Sequence, residues 1–122
     1  MVLVDTSVWI DFLQGKQPAQ PLTQLLLKSE VLCHPWILGE LIMGSLPSRR
    51  AQILAEIEIL PRLPEFSLDA IRDFVEKESL FNKGLSYVDG QLLYSSLLHN
   101  CLLWTHDKAL CRAAERFGIG MG

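Results

Sequence analysis

Four acidic residues occupy positions where carboxylates could act together: Asp5, Glu40, Asp89 and Asp107. Asp5 and Asp107 each follow a short apolar run that is typical of a buried strand. In a parallel sheet the carboxyl ends of the strands meet at one edge, so we expect these acids to converge there. An all-oxygen ligand set suits Mg²⁺ or Mn²⁺ and not zinc. Such an ion activates water and stabilises charge on a phosphoryl group, which indicates phosphodiester hydrolysis.

Each acid also has a structural alternative, which the sequence leaves open. Asp5 and Asp107 are suitable helix N-caps, and Ser86-x-x-Asp89 fits a capping box. Glu40 is the only ionisable residue in the segment 35–43. If its helical face is buried, the carboxylate needs a partner or a cation; if that face is exposed, Glu40 simply points to water.

Strands that alternate with helices must position these acids. Apolar runs predict strands at 2–4, 31–33 and 101–104, with further short strands within 61–64 and at Ile119. Helical spacing, caps and glycine stops predict seven helices, over 8–13, 18–28, 35–44, 48–60, 67–82, 87–99 and from Asp107 to about Gly118. This alternation predicts an α/β fold with a parallel sheet covered on both faces.

Composition excludes several classes of protein. A chain of 122 residues with 49% hydrophobic and 20% charged residues is expected to fold as one domain, residues 1–122. Its net charge of −3 gives no basic field, so nucleic-acid chemistry would need local cations or metal ions. No apolar run approaches a membrane span, no signal peptide opens the chain, and the three cysteines lack metal-site spacing. We therefore expect a cytoplasmic protein without a membrane partner.

Four segments in register carry a resemblance to a known family: LVDTSVWIDFL at the start, GEL around Glu40, GLSYVDGQLLYSSLL around Asp89 and LLWTHDKAL around Asp107. Over essentially its whole length the chain resembles PIN-domain nucleases, and among them the VapC-type toxins of toxin–antitoxin pairs. The resemblance implies a three-layer α/β fold with a parallel sheet of four or five strands flanked by helices.

The resemblance also implies a function. It makes Asp5, Glu40, Asp89 and Asp107 the catalytic, metal-binding acids of an endoribonuclease that depends on Mg²⁺ or Mn²⁺. The residues that it implies as supports of the site are Thr6, Ser7 and Thr105. It further implies a homodimer, and a small antitoxin whose tail crosses the active site. His106 stands where the family frequently has Arg, and this replacement would weaken the contact with an RNA phosphate.

A cationic stripe begins beside Asp107 on the last predicted helix. Lys108, Arg112 and Arg116 follow one another at about one-turn intervals, and they are candidates for contacting RNA phosphates or simply form a solvated face. Two alternatives to a toxin nuclease stay open. One is a PIN-fold module that binds protein or RNA without cutting; the other is a PIN nuclease that acts on DNA or in RNA maturation.

Overall fold

The architecture was obtained as a computed structural model that describes residues 1–16, 18 and 20–121. Three short parallel strands form its sheet, in the order β2-β1-β3: β1 (Val2–Val4), β2 (Val31–Leu32) and β3 (Leu102–Trp104). In register, β1 residue Val2 lies opposite Val31 on one side and Leu102 on the other. All three residues of β1 are buried. Since successive side chains point to opposite faces, the sheet is covered on both sides, as predicted.

The sheet has three strands where four or five were expected. The predicted strands within 61–64 and at Ile119 are reduced to single parallel bridges, at Arg62 beside Cys33 and at Gly120 beside Leu103. Pro61 and Pro64 explain the first case, because proline has no N–H to donate to a ladder. The two bridges nevertheless extend the parallel arrangement by one position on each side.

Seven α-helices lie among the described residues: α1 (Thr6–Leu13), α2 (Gln20–Leu27), α3 (Pro35–Met43), α4 (Arg50–Glu58), α5 (Leu68–Glu78), α6 (Tyr87–Leu98) and α7 (Lys108–Arg116). The predicted number and order are confirmed, whereas several boundaries were too generous. For the second helix, part of the predicted start falls on residue 19, which lies outside the described residues. The fifth helix ends at Glu78 and not near residue 82, because Ser79 adopts a left-handed conformation with φ of 54°.

The residues that begin the helices place polar side chains at the carboxyl edge of the sheet. His34 ends the segment after β2 and accepts a hydrogen bond from the backbone N–H of Trp36 at 3.1 Å, while Pro35 occupies the first turn of α3. Asp5 similarly follows β1, and Thr105 follows β3. The ends of three neighbouring strands thus deliver polar side chains to one edge.

No helix of the described chain is long and apolar enough to cross a membrane.

Candidate active site

Asp5 is the most enclosed of the four acids. Its side chain is 8% exposed, and its Oδ2 accepts hydrogen bonds from Ser7 Oγ and Thr105 Oγ1, each at 2.8 Å. Its backbone N–H donates to the carbonyl of Trp104 at 2.9 Å, which holds the ends of β1 and β3 together. Although Asp5 is the N-cap residue of α1, its carboxylate makes no capping bond within the described chain. The capping alternative therefore does not account for this acid.

Two hydroxyl groups connect Asp5 to the segment after β3. Ser7 Oγ and Thr105 Oγ1 lie 3.3 Å apart. Ser7 Oγ accepts from the backbone N–H of His106 at 3.0 Å, and Thr105 Oγ1 accepts from that of Asp107 at 3.0 Å. The position of Asp107 is thereby tied to that of Asp5. The structure thus places the predicted supporting residues Ser7 and Thr105 directly against the first acid.

Asp107 performs the capping role that the sequence left open. It is exposed, and its Oδ2 accepts from the backbone N–H of Leu110 at 2.9 Å, so it is the N-cap of α7. One carboxylate oxygen is used in this way. Because the side chain is at the surface, its other oxygen can reach a ligand as well as water.

Asp89 also caps a helix, and it lies within the field of two other acids. Its Oδ2 accepts from the backbone N–H of Ser86 at 2.9 Å, and Ser86 Oγ accepts from the backbone N–H of Asp89 at 3.1 Å, which is the predicted capping box. Burial raises the pKa of Asp89, and the negative charges of Asp5 and Asp107 raise it further. A cation beside these acids would relieve that repulsion.

Glu40 follows the second of its two alternatives. It is exposed on α3, and Met43 on the same helical face is exposed too, whereas Ile37 on that face is buried. Glu40 is nevertheless not isolated, because its Oε1 accepts from Thr6 Oγ1 at 2.7 Å. Thr6 is the residue after Asp5. Through Thr6, the fourth acid is attached to the same strand end as the first.

The donor chemistry of these acids fits a hard divalent cation, but their arrangement is open. All the candidate donors are oxygens, and the charged form of Asp89 is disfavoured as the site stands. Within residues 1–16, 18 and 20–121, no group of three or more His, Cys, Asp or Glu side chains is arranged so that it could hold a metal ion. Like charges repel, and all four acids also bond to nearby backbone or hydroxyl groups.

The cationic stripe is partly engaged elsewhere. Lys108 and Arg112 are exposed on α7, whereas Arg116 lies 3.5 Å from Glu78 and stacks over the ring of Phe117, 5.0 Å from its centroid. Lys83, which sequence reasoning missed, lines a small hollow together with Arg112. Its place in the loop before α6 gave no pattern by which to find it.

A second contact that sequence reasoning missed fixes the segment after β3. His106 Nδ1 lies 2.6 Å from Oδ2 of Asp11. The two residues are 95 positions apart in the chain. The sequence carries no local signal for this contact, because only the fold brings α1 against residues 105–107.

Comparison with known proteins places this geometry in a family. A family model for the PIN domain matches residues 2–116. Ribonuclease VapC32, from two strains of Mycobacterium tuberculosis, is 36% identical over 122 residues, which cover 99% of this chain and 96% of the relative. The crystal structure of PAE2754 from Pyrobaculum aerophilum superposes with a TM-score of 0.61 at 16% identity, over 91% of this chain and 77% of that one. The latter likeness shows the fold alone.

These matches extend over nearly the whole length of the chain. The residues matched by the family model include all three strands and all seven helices described above. They also include the four segments in which the resemblance was seen. The chain therefore belongs to the PIN-domain family, and within it to the VapC group.

Proposed function

We propose that this chain is a metal-dependent endoribonuclease that acts as the toxin of a toxin–antitoxin pair. The observation that carries the proposal is the hydroxyl-bonded position of Asp5, with Asp107 tied to it and Asp89 in its electrostatic field. The relative that is 36% identical is itself a ribonuclease. We treat residues 1–122 as one nuclease domain.

Asp5, Glu40, Asp89 and Asp107 would hold Mg²⁺ or Mn²⁺. When bound, such an ion supplies activation of water and stabilisation of charge on the scissile phosphate. The chain's own part is positioning: Ser7 and Thr105 fix one oxygen of Asp5 and leave its Oδ1 for a ligand, among the residues described. An exposed carboxylate such as that of Glu40 is available to accept the proton of the attacking water.

Surface cations would hold the rest of the RNA. Lys108 and Arg112 extend from the N-terminus of α7, directly after Asp107, and Lys83 adds a charge near Arg112. Each is suited to a phosphate contact, which positions a strand without reading its sequence. Arg116 is less available for a phosphate contact because its guanidinium pairs with Glu78. In this proposal the net charge of −3 is overcome locally by these residues and by the metal.

The test is cleavage of total RNA by the purified chain with Mn²⁺ or Mg²⁺, with EDTA, and with two variants, Asp5→Asn and Asp89→Asn. We expect discrete fragments that need the metal, and a loss of at least about a hundredfold in rate for each variant, because each removes a charged donor. Both variants should stay folded. Cleavage by either variant at the parent rate would contradict the assignment of the acids.

A binding module without catalysis is the second candidate, and a specific observation favours it. Asp89 and Asp107 both cap helices, and the described acids are not closed up around a metal. A purely capping role predicts no saturable binding of Mn²⁺ in calorimetry and no cleavage in any metal. Saturable binding would remove this alternative.

The partners follow from the proposed toxin function. We propose that the chain forms a homodimer in the cytoplasm. We also propose that a small antitoxin inhibits it, because the basic tail of the antitoxin is attracted to the acidic edge, which is the group formed by Asp5, Glu40, Asp89 and Asp107. Light scattering of the purified chain tests the dimer, and a mass of one chain would refute it. Co-expression with the product of the adjacent open reading frame tests the antitoxin, since a cognate partner should copurify and suppress cleavage.

A further inference from the structure

We propose that the cavity beside Tyr87 receives a base of the RNA strand, next to the bond that is cleaved. The inference rests on the proposed function in taking RNA as the ligand. The cavity has a volume of about 560 Å³, within the roughly 300–1,000 Å³ of small-molecule sites, and it lies between α5, the loop before α6 and the first turn of α6. Leu68, Phe81 and Tyr87 line it and are 66%, 51% and 40% exposed.

The cavity adjoins the capping box that holds Asp89. Ser86 and Tyr87 line it, and Ser86 also shares the capping box with Asp89. Tyr87 and Asp89 are two residues apart on α6, so their Cα atoms are separated by about 5.5 Å. A base in the cavity would therefore sit beside the capping box that holds Asp89, one of the proposed metal-binding acids.

Tyr87 is held as a rigid platform. Its hydroxyl accepts from Nε2 of the fully buried Gln91 at 3.0 Å, and Gln91 is anchored in turn by two bonds to the backbone of Phe66. On another side the ring meets Trp36 edge to face, with centroids 5.9 Å apart. The indole N–H of Trp36 donates to Glu65 at 3.1 Å. A ring fixed in this way loses little entropy when a base stacks on it.

The charged residues that line the cavity favour the binding of a neutral ring over the binding of a phosphate. Two acids, Asp69 and Glu76, and one base, Arg72, line its wall. The excess of negative charge disfavours an anion, and the apolar walls favour a flat uncharged heterocycle. The polar groups of the same wall offer hydrogen-bond partners for a base edge. The phosphates would instead follow the cations of α7 and the metal that the acids would hold.

The test measures binding without cleavage. Short fluorescent oligoribonucleotides of a single base type, and an abasic strand of equal length, are titrated with the full chain in EDTA and followed by anisotropy. We expect at least one base type to bind about 5- to 100-fold tighter than the abasic strand, the range of one stacked base. Equal affinity for abasic and base-containing strands would overturn the proposal.

Variants locate the base. Tyr87→Ala and Phe81→Ala should each reduce the preference for the base-containing strand several-fold, whereas Tyr87→Phe keeps the ring and should keep the preference. Leu27→Ala is the matched control, since Leu27 is 80% exposed on α2 and does not line the cavity. Phe81→Ala guards against misfolding of the tyrosine variant, because Phe81 lies in the loop before α6 and not within the helix. An unchanged preference in both alanine variants would refute the site.

Two other outcomes are separable. If both alanine variants alter the mass in light scattering and leave RNA affinity unchanged, the cavity is a contact between two copies of the chain, and the proposal is wrong. If the base preference depends on Tyr87 but no RNA is cleaved in any metal, the base site stands and the nuclease proposal fails. If cleavage is metal-dependent and the base preference is absent, the nuclease proposal stands and the base site is refuted.

Discussion

Adjacent residues of one helix turn support two acids in opposite surroundings. Ser7 donates to Asp5 in a nearly buried site where Thr105 makes a second bond to the same oxygen. Thr6 donates to Glu40 at the surface, where water competes for both groups. A buried carboxylate with two fixed donors has one geometry, whereas an exposed carboxylate with one donor can move. In the proposed site we therefore expect Asp5 to be the fixed carboxylate and Glu40 to adjust to it.

The largest effect on stability should come from another buried polar group at the same edge, His34. It is fully buried, and within the described chain its Nε2 has no hydrogen-bond partner. Burial lowers the pKa of His34 to about 4, from 6.5. Between these values the unfolded chain binds a proton that the folded chain does not, so stability is present above pH 6.5 and is lost as the pH falls.

Urea unfolding between pH 7 and pH 4 measures this loss, which we expect to reach about 3 kcal/mol. The matched control is His34→Asn, which keeps an N-cap acceptor for Trp36 and removes the titration. Subtracting its pH profile cancels the contribution of the acids. Parallel profiles for the parent and the variant would show that His34 is not a buried neutral histidine.

The next effect compares the two threonines directly. Thr105→Val removes a bond to Asp5 and leaves the N–H of Asp107 without its acceptor, so it should destabilise the fold by about 1–3 kcal/mol. Thr6→Val removes one exposed bond and should destabilise it by less than about 1 kcal/mol. Denaturant unfolding of both variants decides the matter. Equal losses would mean that burial does not distinguish Asp5 from Glu40.

A third effect, smaller than that of Thr105→Val, concerns the capping box. Ser86→Ala removes the acceptor for the N–H of Asp89 and should destabilise the fold by about 1 kcal/mol. Ser86→Thr retains the hydroxyl and is the conservative control. If the alanine variant lost as much stability as Thr105→Val, Asp89 would belong with the buried acid and not with the adaptable ones.

The sequence predicted the strand ends well because a short apolar run followed by Asp is a local signal. This is why Asp5 and Asp107 could be placed at one edge before the structure was known. Ser67 was correctly assigned as a helix start, and it accepts from the N–H of Ala70 at 3.1 Å. Such caps depend on residues that are close in sequence.

The errors arose where the outcome depends on distant packing. Helix α3 is apolar on nearly every side, so periodicity could not show that Glu40 and Met43 face solvent. The contact between His106 and Asp11 and the short bridges at the sheet edges likewise depend on how separate elements meet. The position of Asp5 and Asp107 at one edge could thus be predicted from sequence, but the surroundings of the acids could not.

The central claim is that Asp5 anchors a metal-binding set of carboxylates. The most direct measurement is a calorimetric titration of the parent chain and of Asp5→Asn with Mn²⁺, with circular dichroism to confirm that both are folded. We expect saturable binding by the parent and a loss of at least about tenfold in affinity for the variant, since a fixed charged ligand is removed. Equal affinities, or no saturable binding by the parent, would contradict it.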